Sequence, residues 1–335
     1  MNTALVVDKQ MCDSTHLTFP LVDSLLREFP GSTLFPAGED YAKVVRDVRD
    51  RQGDFDCLIA FLRFRYLCVQ KGVFDGIRLP IIMLEHDAVQ NFMESSPHRG
   101  KWTEYLSDKR IDLIVVSGLT VCERLQEMGF PAFYLPKGGA SDFLGYRNSY
   151  SRFLCIFGSS QQGYVYDPRK ALFDRLKPVD LVDKIGYRLG GGFVKLRQFL
   201  APQDERLPIH RLRFKYKDMP RILSSYSGLI ICDYGLSEPM IKHFEASALG
   251  LVPIRDSEMK EEVERLGYKD GKSMILYETC DDLLTKLEYY GQHLDELHRI
   301  QDGAREAARA NTWEARAMAL REYLEGFLQQ RQLNP

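Results

Sequence analysis

Two carboxylates and the residues just before them carry the clearest chemistry in the sequence. Glu238 and Glu245 are seven residues apart. On one helix that is about two turns, which would put both on the same face. Ser237 and Pro239 stand where such a helix would open, with the proline in its first turn. Backbone N–H groups at a helix start favour an anion such as a diphosphate. Carboxylates beyond them would accept hydrogen bonds from sugar or ribose hydroxyls. A helix with a charged first turn and one exposed glutamate explains the same spacing.

A second candidate is Leu84-Glu85-His86-Asp87, which follows the apolar run Pro80–Met83. Residues at the carboxyl end of a parallel strand face the crevice where open α/β sheets bind ligands. There His86 could meet a substrate, and Asp87 could act as a base. A capping or core histidine is the alternative. His16, just after the first strand, is a weaker case. Asp54-Phe55-Asp56 has the D-x-D pattern of some metal sites. Asp56 immediately precedes the strand-like run Cys57–Phe61, at the opposite end of the sheet from the expected crevice, so no metal is implied. Gly190-Gly191-Gly192 does not fit a dinucleotide fingerprint and reads as a loop. Arg211-Leu212-Arg213-Phe214-Lys215-Tyr216-Lys217 alternates basic and apolar residues. A stacking nucleic-acid stripe and an edge strand with snorkelling bases both fit it.

These residues need a frame. The chain has 335 residues, 44% apolar and 27% charged, with a formal charge of −2. That is ample for two folded domains, and it leaves no global basic excess to drive nucleic-acid binding. No apolar run approaches the ~18 residues of a membrane helix. The amino terminus reads as a first strand rather than a signal peptide. Seven cysteines without a C-x-x-C pair read as reduced core residues of a cytosolic protein.

Short apolar runs alternate with amphipathic stretches. Strands are expected at Ala4–Val7, Leu34-Phe35, Cys57–Phe61, Pro80–Leu84, Leu113–Val116 and Ala132–Leu135. A second cycle follows, with strands at Phe153–Phe157, Val179–Val182, Ile209–Phe214, Leu229–Cys232 and Val252–Ile254. Near-continuous apolar strands separated by helices predict parallel sheets covered on both faces. The fold class is therefore α/β, in two doubly wound halves, with a boundary near Gly138–Tyr150 and a substrate cleft between the halves.

Glu245-Ala246-Ser247-Ala248-Leu249-Gly250-Leu251-Val252-Pro253-Ile254 resembles the E-A-x-A-x-G-x-x-x-I element of GT-B glycosyltransferases, of the family 4 or "group 1" type. Lys217-Asp218-Met219-Pro220 resembles that family's lead-in. Asn311-Thr312-Trp313 resembles the start of its closing helix. Leu135-Pro136-Lys137-Gly138-Gly139 resembles the run into its linker, and Phe157-Gly158-Ser159 the turn that opens its donor domain.

The resemblance implies an acceptor-side domain at 1–145, a nucleotide-sugar domain at 146–310, and a helix at 311–335 crossing back to the first domain. It implies that Glu245 binds the ribose hydroxyls and that Glu238 approaches the transferred sugar. The spacing here is E-x6-E, one residue shorter than the family's E-x7-E. Lys242, Arg169 and Lys170 would face the diphosphate. Gly158 and Ser159 would line the donor turn, and Phe214 would lie near the base. Ser237 and Pro239 complete the donor set, and His86 would contact the sugar.

The implied activity is metal-independent transfer from a nucleotide-diphosphate sugar, UDP-linked first among them, with retention of configuration. No cofactor is implied. The acceptor would be a glycan, a lipid-linked sugar or another hydroxyl compound, reached in the cytoplasm or at the inner membrane face. Two rivals stand beside this reading. One is a transferase acting on modified DNA bases, favoured by a positive rim at Arg63, Arg65 and Lys71. The other is a non-catalytic nucleotide- or glycan-binding protein of the same fold.

Overall fold

A computed structural model describes residues 1–14, 16–94, 96–108, 111–146, 155–157, 167–176, 178–184, 219–232 and 238–333. It separates into two compact units. The first comprises Met1–Gly138, Leu236–Pro239 and Asn311–Pro335; the second comprises Gly139–Gly235 and Met240–Ala310.

The first unit holds six parallel strands: β1 (Thr3–Asp8), β2 (Thr33–Ala37), β3 (Cys57–Phe61), β4 (Ile81–Glu85), β5 (Leu113–Val116) and β6 (Ala132–Tyr134). Their order is β2-β1-β3-β4-β5-β6. β1, β3, β4 and β5 are buried along their whole length, which is why their sequences read as unbroken apolar runs. The helix Phe19–Glu28 turns Leu21, Val22 and Leu25 inward. Asp40 caps the helix Tyr41–Asp50 by accepting from the Lys43 N–H at 3.1 Å, a contact worth about 1 kcal/mol. The last helix, Trp313–Leu333, packs on Phe19–Glu28. Tyr323 stacks on Phe133 of β6 at 3.8 Å, and Arg331 pairs with Asp112.

The second unit holds β7 (Cys155–Phe157), β8 (Val182–Lys184), β9 (Gly228–Ile231), β10 (Val252–Asp256) and β11 (Ile275–Tyr277). Among the described residues they form one parallel sheet, ordered β11-β10-β9-β7-β8. Ile230, Val252, Ile254, Ile275 and Tyr277 share a core with Leu283, Leu287, Leu297 and Ile300 of the helices Cys280–Gln292 and Leu294–Arg309. Two parallel sheets, one per unit, are what the alternating apolar runs predicted.

Several local expectations are corrected. The strand expected at Val179–Val182 begins only at Val182, where pairing with Cys155 starts. β11 has no counterpart in the sequence reading, because three residues are too few to show a period. The expected strand Ile209–Phe214 lies outside the described residues. The six cysteines other than Cys155 are free thiols. No helix among the described residues is long and apolar enough to cross a membrane.

Candidate active site

In the first unit, three neighbouring strands lead into polar residues at or beyond their carboxyl ends. β4 ends at Glu85, followed by His86 and Asp87. Ser117 follows β5, and Lys137 lies three residues beyond β6. Glu85, His86, Ser117 and Lys137 are buried, whereas Asp87 is exposed. Glu238 belongs to this unit and is also buried. Its Oε1 accepts from Lys137 Nζ at 2.7 Å and its Oε2 from Ser117 Oγ at 2.7 Å. The Ser117 hydroxyl also lies 3.0 Å from the His86 carbonyl oxygen, so the segment after β4 is tied to the same knot.

Lys137 is held in place by its neighbours. Arg316 donates to its carbonyl at 3.3 Å. A side chain at the next residue, Gly138, would meet the Thr312 carbonyl carbon at 2.8 Å. Only glycine lets the chain after Lys137 pass that backbone.

This geometry overturns the shared helix face expected for Glu238 and Glu245. The helix bearing Glu245 is Ile241–Ala248, with Met240 extended at its N-cap position. Glu238 and Pro239 precede it in non-helical backbone, so Pro239 is not in its first turn. Glu238 instead meets the buried ammonium of Lys137. Asp54 and Asp56 do lie before β3, where the Asp56 carboxylate accepts from the Asn2 N–H at 2.7 Å.

Burial dominates the electrostatics. It pushes the Glu238 carboxyl above its ordinary range, while Lys137 and Ser117 pull it back. Glu85 is raised well above its ordinary range by burial and then by the Asp87 charge. It accepts from the Asp87 N–H at 2.7 Å. His86 stacks on Trp313, with ring centroids 5.6 Å apart and planes 15° apart, and meets Phe61 edge-on. Burial, followed by the Lys137 charge, lowers its pKa to about 3. The imidazole is therefore neutral at pH 7. Its Nδ1 is buried with no hydrogen-bond partner among the described residues.

A pH dependence follows from that burial. An unfolded imidazole takes its proton near 6.5, the folded one only near 3. The folded state gains stability above pH 6.5 and loses it as pH falls towards 3, by about 1.4 kcal/mol per unit. His86→Phe keeps the ring packing and removes the proton. Between pH 6.5 and 4.5 the wild type should lose about 2–3 kcal/mol more than the variant in urea unfolding. Parallel losses would place His86 in contact with water.

In the second unit, Glu245 is buried on the helix Ile241–Ala248. The helix ends at Gly250, whose φ of +72° is a left-handed conformation that a side chain would strain. The Gly250 N–H donates to the Ser247 carbonyl and the Leu251 N–H to the Ala246 carbonyl, both at 2.9 Å. That closure turns the chain directly into β10, a physical reason for the glycine five residues after Glu245. His243 is fully buried, T-stacked on Tyr268 at 4.2 Å, with its Nδ1 3.4 Å from Arg255 Nη1. Burial and then Arg255 lower its pKa well below the ordinary value. His243 thus anchors the helix to β10.

Lys242 is half-buried in the first turn, and no side chain among the described residues caps the amino end of this helix. Arg169 and Lys170 lie in the helix Asp167–Leu176, and their side chains are outside the described residues. Gly158, Ser159, Phe214 and Ser237 also lie outside them. Sequence reasoning missed Ser117 as a site neighbour and took Glu85, Trp313 and Lys137 only as parts of motifs. Three of the four directly end or follow an apolar strand or open a helix, a positional signal that was available.

The fold is that of the GT-B glycosyltransferases. Over 98% of this chain and 100% of the other it is similar to sucrose-phosphate synthase from Thermosynechococcus elongatus, with a TM-score of 0.67 at 10% identity. Anabaena HepE in complex with UDP and glucose gives a TM-score of 0.66 at 13% identity, over 97% and 100% of the two chains. An alpha-glucosyltransferase in complex with UDP-glucose and DNA containing an abasic site gives 0.62 at 11%, over 98% of each chain. Residues 178–322 match the family described as glycosyl transferase-like. That match bears out the resemblance to group 1 enzymes and the expectation of a glycosyltransferase. Comparison with curated proteins found no match.

Proposed function

We propose that the protein moves a sugar from a nucleotide-diphosphate sugar, UDP-linked in the first instance, to a hydroxyl of a glycan, lipid-linked or other acceptor. The observation that carries this reading is Glu245, buried on an eight-residue helix whose amino end no side chain among the described residues caps and whose carboxyl end is closed at Gly250. Its carboxylate suits a pair of ribose hydroxyls. The uncapped helix start, with Lys242, suits the diphosphate, and Arg169 and Lys170 would add charge there. Such donors stabilise a leaving diphosphate without a metal ion.

The neutral His86 would hydrogen-bond a hydroxyl of the transferred sugar. Both Glu238 oxygens are engaged by Lys137 and Ser117, which favours a positioning part for it over sugar contact. In the reaction the bond from C1 to the diphosphate oxygen breaks and its electron pair leaves with the nucleotide. The acceptor oxygen bonds C1, and its proton passes to the leaving phosphate if configuration is retained. If configuration inverts, the exposed Asp87 is the candidate base.

DNA as acceptor is the second reading, favoured by the likeness to the alpha-glucosyltransferase in complex with DNA. It needs Arg63 as a rim cation, and Arg63 is paired with Asp8 at 2.8 Å. The test is nucleotide release and product mass with UDP-, GDP- and ADP-sugars over pooled glycans, lipid-linked sugars and duplex DNA. A product heavier by one sugar is expected from a glycan or lipid pool. No turnover with any donor would overturn the proposal.

A further inference from the structure

The first sheet reverses direction at β1. The chain runs outward from β1 to β2, then returns to place β3 on the other side of β1. In open parallel sheets the carboxyl ends on either side of such a reversal leave a crevice. Here that crevice is a cavity of about 560 Å³, lined by residues that follow β1, β2 and β3. Its size is that of an ordinary small-ligand site.

The floor of the crevice is built and charge-compensated. Asp8 is buried and accepts from the Gln10 N–H at 3.0 Å, the Tyr41 hydroxyl at 2.7 Å and Arg63 Nε at 2.8 Å. Arg63 Nη1 donates to Gln10 Oε1 at 2.9 Å, and the guanidinium lies 4.6 Å over the Tyr66 ring. Arg63 and the Gln10 amide are thereby locked in orientation, which lowers the cost of binding.

Polar groups lie above this floor. Among the described residues, the Gln10 amide nitrogen, His16 Nε2, the Lys9 ammonium and the Glu39 carboxylate make no hydrogen bond or ion pair, and all four residues line the cavity. His16 Nδ1 lies 2.8 Å from the Thr18 hydroxyl and accepts from the Thr18 N–H at 3.3 Å. Its proton is therefore on Nε2, where it is a donor. The lining offers donors and acceptors together but no excess of positive charge: Lys9 and Arg63 stand against Asp8, Asp13 and Glu39. A phosphate, a uronate or a nucleic-acid backbone would meet a surplus of carboxylate. A hydroxyl can both donate to Glu39 and accept from Gln10 or His16.

We propose that this crevice binds an uncharged, polyhydroxylated sugar unit of the acceptor, read by Gln10, His16 and Glu39 over the Asp8–Arg63 floor. The inference rests on the glycosyltransferase reading and narrows its acceptor to a neutral glycan. His16→Ala and Glu39→Ala remove side chains that face the cavity and leave the Asp8–Arg63 pair in place.

The full-length protein and both variants would be applied to an array of neutral gluco-, galacto- and manno-oligosaccharides, uronate and phosphorylated glycans, and duplex DNA. Melting with UDP would be recorded in parallel. Retention by neutral glycans is expected, weakened at least tenfold in each variant, with the melting shift from UDP unchanged. Retention confined to acidic glycans or DNA would overturn the inference. So would variants that bind like the wild type, or no glycan retained while UDP still raises the melting temperature. If UDP gives no shift and no sugar is transferred, the fault lies in the glycosyltransferase reading itself.

Discussion

Replacing Lys137 with methionine should destabilise the first unit by about 3–5 kcal/mol, a large share of a typical domain's ~5–15 kcal/mol. The Lys137–Glu238 pair is almost wholly shielded, with side chains 3% and 2% exposed. Removing the ammonium leaves a buried carboxylate whose remaining hydrogen-bond partner among the described residues is the Ser117 hydroxyl. That carboxylate must then take a proton or bring in water. Its folded pKa, already raised, rises further, so the variant's deficit is smallest in acid and grows as pH rises through that value. Urea midpoints at pH 5.5 and pH 8 measure this. The double variant Lys137→Met with Glu238→Leu removes both charges and should recover most of the loss, because an apolar pair of similar volume tolerates burial. A single variant as stable as the wild type would show that the pair is hydrated in solution.

Glu245→Ala should weaken UDP binding by about 10- to 100-fold. A hydrogen bond to a charged group is worth about 1.5–3 kcal/mol, and about 1.4 kcal/mol is a factor of ten. Alanine is the best helix former, so the helix Ile241–Ala248 keeps its geometry. Glu245→Gln retains one acceptor oxygen and should fall between the two. Titration calorimetry with UDP separates these cases, and equal affinities in all three proteins would remove Glu245 from the donor site.

The two sheets were legible because their central strands are buried on both faces. Cys57–Phe61 and Leu113–Val116 announce themselves as unbroken apolar runs. β11 was not legible, because Ile275–Tyr277 is a three-residue strand after a turn. At the candidate site, Glu245 was legible from its motif, and Gly250 now has a backbone reason within it. Glu238 was misplaced because spacing along a chain says nothing of where a helix starts. Met240 occupies the position before the first helical residue, and a lysine 101 residues earlier takes the carboxylate. The Asp8–Tyr41–Arg63 floor was invisible for the same reason. Its members lie up to 55 residues apart and share only the carboxyl ends of neighbouring strands and the helix beside them.

The most direct test of donor binding is the melting temperature of the full chain with UDP, GDP and ADP, each with and without EDTA, beside Glu245→Ala. At a hundredfold excess over Kd, binding stabilises by about 2.7 kcal/mol, roughly 5 °C or more for a domain of this size. The account predicts that rise for UDP, unchanged by EDTA and cut to about half or less in Glu245→Ala at the same concentration, where a 10- to 100-fold weaker site stabilises by only about 0.4–1.4 kcal/mol. A flat response to every nucleotide, or an equal rise in the variant, would contradict it.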